Sequence, residues 1–183
     1  MGKSLLFLGI DGVLNSSEFF NSPYYAAHKG NIDGHGHAWD PDACELLNQL
    51  ILMYNLDIVV SSTWRLLGLP NMLKVWEDRK MAGTILGITP SFPHITYGKN
   101  YIPMPRGIEI QHYLETIHDF YHWQWKGHSE TIAKCDVDNY IILDEDSDML
   151  WTQRNNFILC SNNTGFTVKE YRKAVNILIS NKE

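Results

Sequence analysis

Short apolar runs that stop in polar clusters alternate along this chain with longer stretches of helical spacing. Ser4–Ile10 (SLLFLGI) is ended by Asp11-Gly12, which predicts a buried strand stopping in a turn. Residues 15–41 carry Asn, Ser, Pro, Gly and aromatics without a period, and predict a long loop or minimal cap. Pro41 opens a run in which Leu46, Leu47, Leu50, Ile51 and Tyr54 share one helical face, so a helix is expected over 42–54. Leu56–Val60 (LDIVV) predicts a second buried strand, running into Ser61-Ser62-Thr63-Trp64-Arg65.

A helix is expected over 70–81, with Pro70 in its first turn, and another over 107–121 from the stripe of Ile108, Ile110, Tyr113, Leu114, Ile117 and Phe120. Between them, 83–105 is rich in Gly and Pro and reads as mostly loop. Residues 122–137 are polar and aromatic and are assigned to no element. Asn139–Leu143 (NYIIL) predicts a third strand, entering Asp144-Glu145-Asp146-Ser147-Asp148, and 157–160 a fourth. A closing helix is expected over 167–180. Strands alternating with helices imply βαβ units: an α/β fold of three layers, a mainly parallel sheet with helices on both faces. No repeat or linker divides the chain, so one domain over 1–183 is expected.

In such sheets ligands bind beyond the carboxyl ends of the strands. Three polar clusters therefore converge: Gly9–Asn15, Ser61–Arg65 and Asp144–Asp148. Asp11, Asp144, Glu145, Asp146 and Asp148 gather carboxylates whose repulsion a hard divalent ion would relieve. Ser61, Ser62 and Thr63 offer donors suited to phosphate oxygens. Arg65 and Arg106 offer guanidinium forks, and Arg106 precedes a helix whose N-terminus favours an anion. This is a phosphate-plus-metal constellation.

Composition narrows the partners. The 183 residues are 44% hydrophobic and 20% charged, with net charge −6. An acidic chain lacks the clustered cations of an extended nucleic-acid face, although one phosphate pocket remains compatible. Cys44, Cys135 and Cys160 are scattered, in no ligand spacing, and read as inert thiols. The N-terminal apolar run is too short to span a bilayer and no cleavage pattern follows it, so a cytoplasmic location is expected.

Residues 9–14, Gly-Ile-Asp-Gly-Val-Leu, resemble the opening motif Asp-x-Asp-Gly-Val-Leu of the haloacid dehalogenase (HAD) phosphatase superfamily. Ser61 after a strand, Arg106 at a helix start and Ile-Ile-Leu-Asp-Glu-Asp (141–146) match its later motifs. The chain is most similar to the HAD domains of Swiss-army-knife RNA-repair proteins and their stand-alone phage and bacterial relatives. The shared stretches are Ser-Ser-Thr-Trp-Arg (61–65), Gly-Ile-Thr-Pro (87–90), Arg-Gly-x-Glu-Ile (106–110), Ile-Leu-Asp-x-Asp-Ser-Asp (142–148) and Thr-Gly-Phe-Thr (164–167).

The resemblance implies an Mg²⁺-dependent phosphohydrolase acting on a phosphomonoester, such as a nucleotide or a nucleic-acid end. It implies that the first Asp of the motif attacks phosphorus and that Asp11 is the general acid and then base. Mg²⁺ is held by that first Asp, by the position of Asp11, and by Asp144 with Asp148 or Glu145. Ser61 and Arg106 hold the phosphoryl group, and Ser62 and Arg65 contact substrate.

The departure is Gly9, which stands in the nucleophile's place. Three accounts stay open: an inactivated form, a natural pseudoenzyme that binds a phosphorylated ligand, or direct attack by water activated at the metal with Asp11 as base. A non-catalytic assembly subunit is a further alternative. His28, Asp33, His35 and His37 include zinc-type ligands without a fourth partner at a recognised spacing, and read as a polar cap in which Tyr24, Tyr25 or His37 can touch substrate. Tyr121-His122-Trp123-Gln124-Trp125-Lys126 is read as packing, as an interface for a protein partner or second copy, or as a base-stacking segment.

Overall fold

Strand β1 (Lys3–Leu8) is the axis of the molecule, with Leu5, Leu6, Phe7 and Leu8 wholly buried. Such a run cannot face water on either side, so it takes the centre of a sheet covered on both faces. The computed structural model describes residues 3–28, 33–93, 95–97, 100–117, 121–125, 128–132 and 136–180. In chain order β1 is followed by short helices α1 (Ser17–Phe20) and α2 (Pro23–His28), then α3 (Pro41–Tyr54), β2 (Leu56–Val60), a 3-10 turn (Thr63–Leu67) and α4 (Leu69–Asp78). Next come β3 (Thr84–Ile88), β4 (Ile95–Tyr97), β5 (Asn100–Ile102), α5 (Arg106–Thr116), β6 (Tyr121–Trp125) and β7 (His128–Ile132). Strand β8 (Val137–Asp144), a 3-10 turn (Trp151–Gln153), β9 (Phe157–Leu159) and α6 (Val168–Ser180) complete the fold.

Five strands form one parallel sheet in the order β3-β2-β1-β8-β9. Alternation along each strand divides the core. Leu6, Leu8, Ile58, Val60, Ile141 and Leu143 pack with the apolar sides of α3, α4 and α6. Leu5, Phe7, Val59 and Ile142 pack with Ile110, Tyr113 and Ile117 from α5 and the residue after it. The result is the expected three-layer α/β architecture. Helix α3 is bounded locally: Asp40 accepts from Asp42 N at 2.9 Å, Pro41 starts the first turn, and Asn55 ends it in the left-handed region at φ 50°.

Several expectations need correction. The 83–105 stretch is not mostly loop: it holds β3 and the hairpin β4–β5. The unassigned segment 122–137 holds most of the hairpin β6–β7. Helix α5 ends at Thr116 rather than near 121, and residues 15–41 contain two short helices. Cys135, Lys126 and the side chains of Tyr121–Trp125 lie outside the described residues. Among those described, no helix is long and apolar enough to cross a membrane. Burial pushes the Cys44 thiol up to about 12 and the Cys160 thiol up as well, as inert thiols require.

Candidate functional site at the carboxyl edge of the sheet

Strand register sets out the site. Leu8 pairs with Val60 on one side and with Leu143 on the other, and Val60 pairs with Ile88. The residues that follow, Thr89, Ser61, Gly9 and Asp144, therefore form one row across the sheet edge, with adjacent strands about 4.8 Å apart. Backbone bonds continue the ladder into this row: Gly9 N donates to Leu143 O at 2.7 Å, Ser61 N to Leu8 O at 3.0 Å, and Thr89 N to Val60 O at 3.0 Å.

The row is buried and under-satisfied. Ser61 Oγ, Thr89 Oγ1 and Asp144 Oδ2 are all buried without a hydrogen-bond partner. Arg106 NH1 shares that condition, and its Nε stands 3.9 Å from Asp144 Oδ2. Unpaired buried polar atoms are costly and call for a ligand or water. Three donors beside one carboxylate oxygen suit a phosphoryl group next to a cation. Thr89 was missed from sequence, since the loop reading of 83–105 hid the strand it ends.

The turn after Gly9 carries Asp11. Its Oδ1 accepts from Asn15 Nδ2 at 2.9 Å and its Oδ2 from Trp64 Nε1 at 3.0 Å, while Asn15 Oδ1 accepts from Gly12 N at 3.0 Å. Asp11 is thus held by an indole from the turn after β2, a link spanning 53 positions that no local motif reveals. Gly12 lies in the left-handed region at φ +69°, and a β-carbon there would stand 2.7 Å from Glu145 Cβ, so glycine is required for the turn to pack on Glu145.

Gly9 is different. Its backbone is not left-handed, so no conformational demand selects glycine. A β-carbon on it would lie 3.1 Å from Asp144 Cγ and Oδ2 and from Leu143 O. A side chain at position 9 would start directly against the Asp144 carboxylate.

Asp144, Glu145 and Asp146 bring ligand oxygens within 4.8 Å of one another. Burial raises the Asp144 carboxyl, opposed by the Arg106 charge. Burial, and then the Asp144 charge, push Glu145 up to about 8. Both shifts oppose full ionisation of the pair, and a divalent ion with oxygen ligands would relieve the same repulsion. Asp148, expected beside Asp144, is turned elsewhere: its Oδ2 accepts from Arg106 N at 2.8 Å and caps α5. That cap fixes Arg106 at the helix start.

Ser62 and Arg65 were expected to touch substrate. Ser62 Oγ instead caps the 3-10 turn, accepting from Trp64 N at 3.4 Å. Arg65 is buried, donating through NH1 to Ser61 O at 2.6 Å and through NH2 to Glu109 Oε2 at 2.7 Å. Its guanidinium lies behind Ser61 rather than in front of it. In the loop before α3, Asp33 pairs with Arg79 and His35 with Asp78, and His28 bonds Tyr24 O, so these side chains are engaged with protein rather than gathered for zinc. Gly107 lies under the Arg106 end of α5, where a β-carbon would come within 2.4 Å of Leu150 N and 2.9 Å of Met149 C. Gly107→Ala is expected to destabilise the protein by about 1–3 kcal/mol through overpacking, read as a lower urea midpoint.

No curated protein and no solved structure matches the chain. The family model of the HAD domain in Swiss Army Knife RNA repair proteins matches residues 5–171, which takes in β1 from Leu5 onward, the whole row and the first turn of α6. This chain belongs to that family, and its scaffold is of the HAD phosphohydrolase type.

Proposed function

We propose that this domain binds a phosphomonoester together with Mg²⁺, and that it has lost turnover through an aspartyl-phosphate because residue 9 is glycine. The observation that carries this reading is the position of Gly9. It stands between Ser61 and Asp144 in the row, where a β-carbon would start 3.1 Å from the metal-type carboxylate, and it has no side chain to attack with.

The roles follow from the donors present. Ser61 Oγ and Thr89 Oγ1 donate to phosphoryl oxygens, and the Arg106 fork neutralises them. Asp144, with Glu145 or Asp146, holds Mg²⁺, which when bound offsets negative charge on the phosphoryl group. Asp11 faces the leaving oxygen as proton donor, oriented by Trp64 and Asn15. What is missing is an attacking group, so binding survives and chemistry stalls.

Thermal unfolding tests the binding half. Mg²⁺ and inorganic phosphate together are expected to raise the melting temperature, because a ligand of the native state alone stabilises it, and EDTA should reverse the rise. Hydrolysis of p-nitrophenyl phosphate should stay near the blank. Brisk turnover that Asp11→Ala abolishes would replace this reading with direct attack by water. No thermal shift with either ligand would leave the structural, assembly-subunit reading.

A further inference from the structure

A second feature lies beside Asp11. Between residues 35–37 and the 3-10 turn 63–67 is a cleft of about 350 Å³, within the range that small organic ligands occupy. Its walls are His35, Gly36 and His37 on one side and Trp64, Leu66 and Leu67 on the other, with Thr63 at the edge. Leu66 is 58% exposed and Leu67 45%, apolar surface that an occupant would remove from water.

The cleft is preformed. Its roof is tied to the end of α4 by the Asp33–Arg79 ion pair at 2.6 Å and by a hydrogen bond between His35 Nε2 and Asp78 Oδ2 at 2.5 Å. His37 packs edge-on against Phe20 with centroids 5.5 Å apart, which ties the roof to α1. Trp64 is steadied by Trp39, centroids 5.7 Å apart.

Trp64 gives the cleft a direction. The N–H end of its indole touches Asp11 Oδ2 at 3.0 Å. Its benzo end lies under Gly36, where a β-carbon would be 3.4 Å from Cη2. The indole that walls the cleft therefore reaches from it to the Asp11 carboxylate. On the reading proposed above, Asp11 is the residue placed to protonate the leaving oxygen, so the leaving group of a bound ester lies on its side of phosphorus.

The geometry points to this cleft as the leaving-group subsite, built for a flat ring set one spacer away from the phosphate, as the base of a nucleoside monophosphate is. This rests on the phosphate-site reading above and adds the chemical class of the ester. A ring attached directly to the phosphate oxygen falls short of the cleft. A sugar phosphate reaches towards it but leaves the Trp64 face and the two leucines wet. A base stacks on the indole, while the His37 ring offers an edge to its heteroatoms.

Binding measured by calorimetry in Mg²⁺ tests the assignment with four probes: inorganic phosphate, phenyl phosphate, ribose 5-phosphate and adenosine 5′-monophosphate. Adenosine 5′-monophosphate is expected to bind at least tenfold more tightly than ribose 5-phosphate or phenyl phosphate. In the neutral double variant Leu66→Asn/Leu67→Asn that ratio should fall to within about threefold of one. Thr63→Trp, which fills the cleft by volume at an exposed position, should do the same. Equal affinity for adenosine 5′-monophosphate and ribose 5-phosphate would overturn the assignment, as would a ratio that survives both variants. Phenyl phosphate matching the nucleotide would overturn the spacer. Absence of binding by inorganic phosphate itself would instead sink the phosphate-site reading, and this one with it.

Discussion

Gly9→Asp is expected to turn this domain into a working Mg²⁺-dependent phosphatase, raising p-nitrophenyl phosphate hydrolysis at least about a thousandfold over the parent chain. The magnitude follows from what a nucleophile is worth in hydrolases whose other groups are in place. Here the other groups stand in one row, with Ser61 on one side of position 9 and Asp144 on the other. The backbone accepts a side chain, since Gly9 is not left-handed. The steric demand is three contacts at 3.1 Å, two to the Asp144 side chain, which can turn, and one to the Leu143 carbonyl, which must shift by a few tenths of an ångström.

Electrostatics add a second readout. A fourth carboxylate beside Asp144, Glu145 and Asp146 destabilises the metal-free protein, because like charges about 4 Å apart cost about 4 kcal/mol at an effective dielectric of 20, with protonation limiting the loss. The variant should therefore melt below the parent in EDTA and recover in Mg²⁺. Gly9→Asn has nearly the same volume without the nucleophile. If Gly9→Asp folds and responds to Mg²⁺ but hydrolyses no faster than Gly9→Asn, position 9 is not the nucleophile's place.

The parts of this fold that sequence revealed are those with local causes. Leu56–Val60 is a wholly apolar-framed run between Asn55 and Ser61, and its bounds coincide with β2. Helix α3 announces itself through Pro41 and its stripe. Strand β3 escaped because Gly83, Gly87 and Pro90 punctuate it and its place at the sheet edge leaves it half-buried. The hairpin β6–β7 did carry a signal: Tyr121, Trp123 and Trp125 recur with period two, the spacing of a strand.

The site divides in the same way. Ser61 and Asp144 directly follow predicted strands and Arg106 directly precedes a predicted helix, and the structure brings them together. Asp148 and Arg65 carry side-chain types that suit a metal or a phosphate, and only the turn of the chain decides whether they face it. Asp148 faces the N-terminus of α5, and Arg65 faces Glu109, 44 positions away. No spacing rule encodes either choice. Trp64 looks like part of a shared motif until its bond to Asp11 gives it a task.

Arg65 and Glu109 supply the other large effect. Both side chains are buried, at 8% and 5% exposure, and Glu109 Oε1 also accepts from Phe92 N at 3.3 Å. Burial raises the Glu109 carboxyl and lowers the Arg65 guanidinium, each opposed by the partner's charge. Such a pair contributes little net stability, yet removing one member strands the other. Glu109→Leu is expected to cost about 3–5 kcal/mol in chemical denaturation, whereas Arg65→Met/Glu109→Leu should recover most of that loss, and a double-mutant cycle isolates the coupling. Phosphate affinity should follow a different course. Arg65 NH1 holds Ser61 O at 2.6 Å, so it fixes the carbonyl of the residue whose hydroxyl meets the phosphoryl group. The double variant should therefore regain stability without regaining phosphate binding, staying at least about fivefold weaker than the parent, the loss expected when one positioned hydrogen bond of about 1 kcal/mol is removed. Recovery of both together would mean that Arg65 serves the core alone, and that Ser61 keeps its place without it.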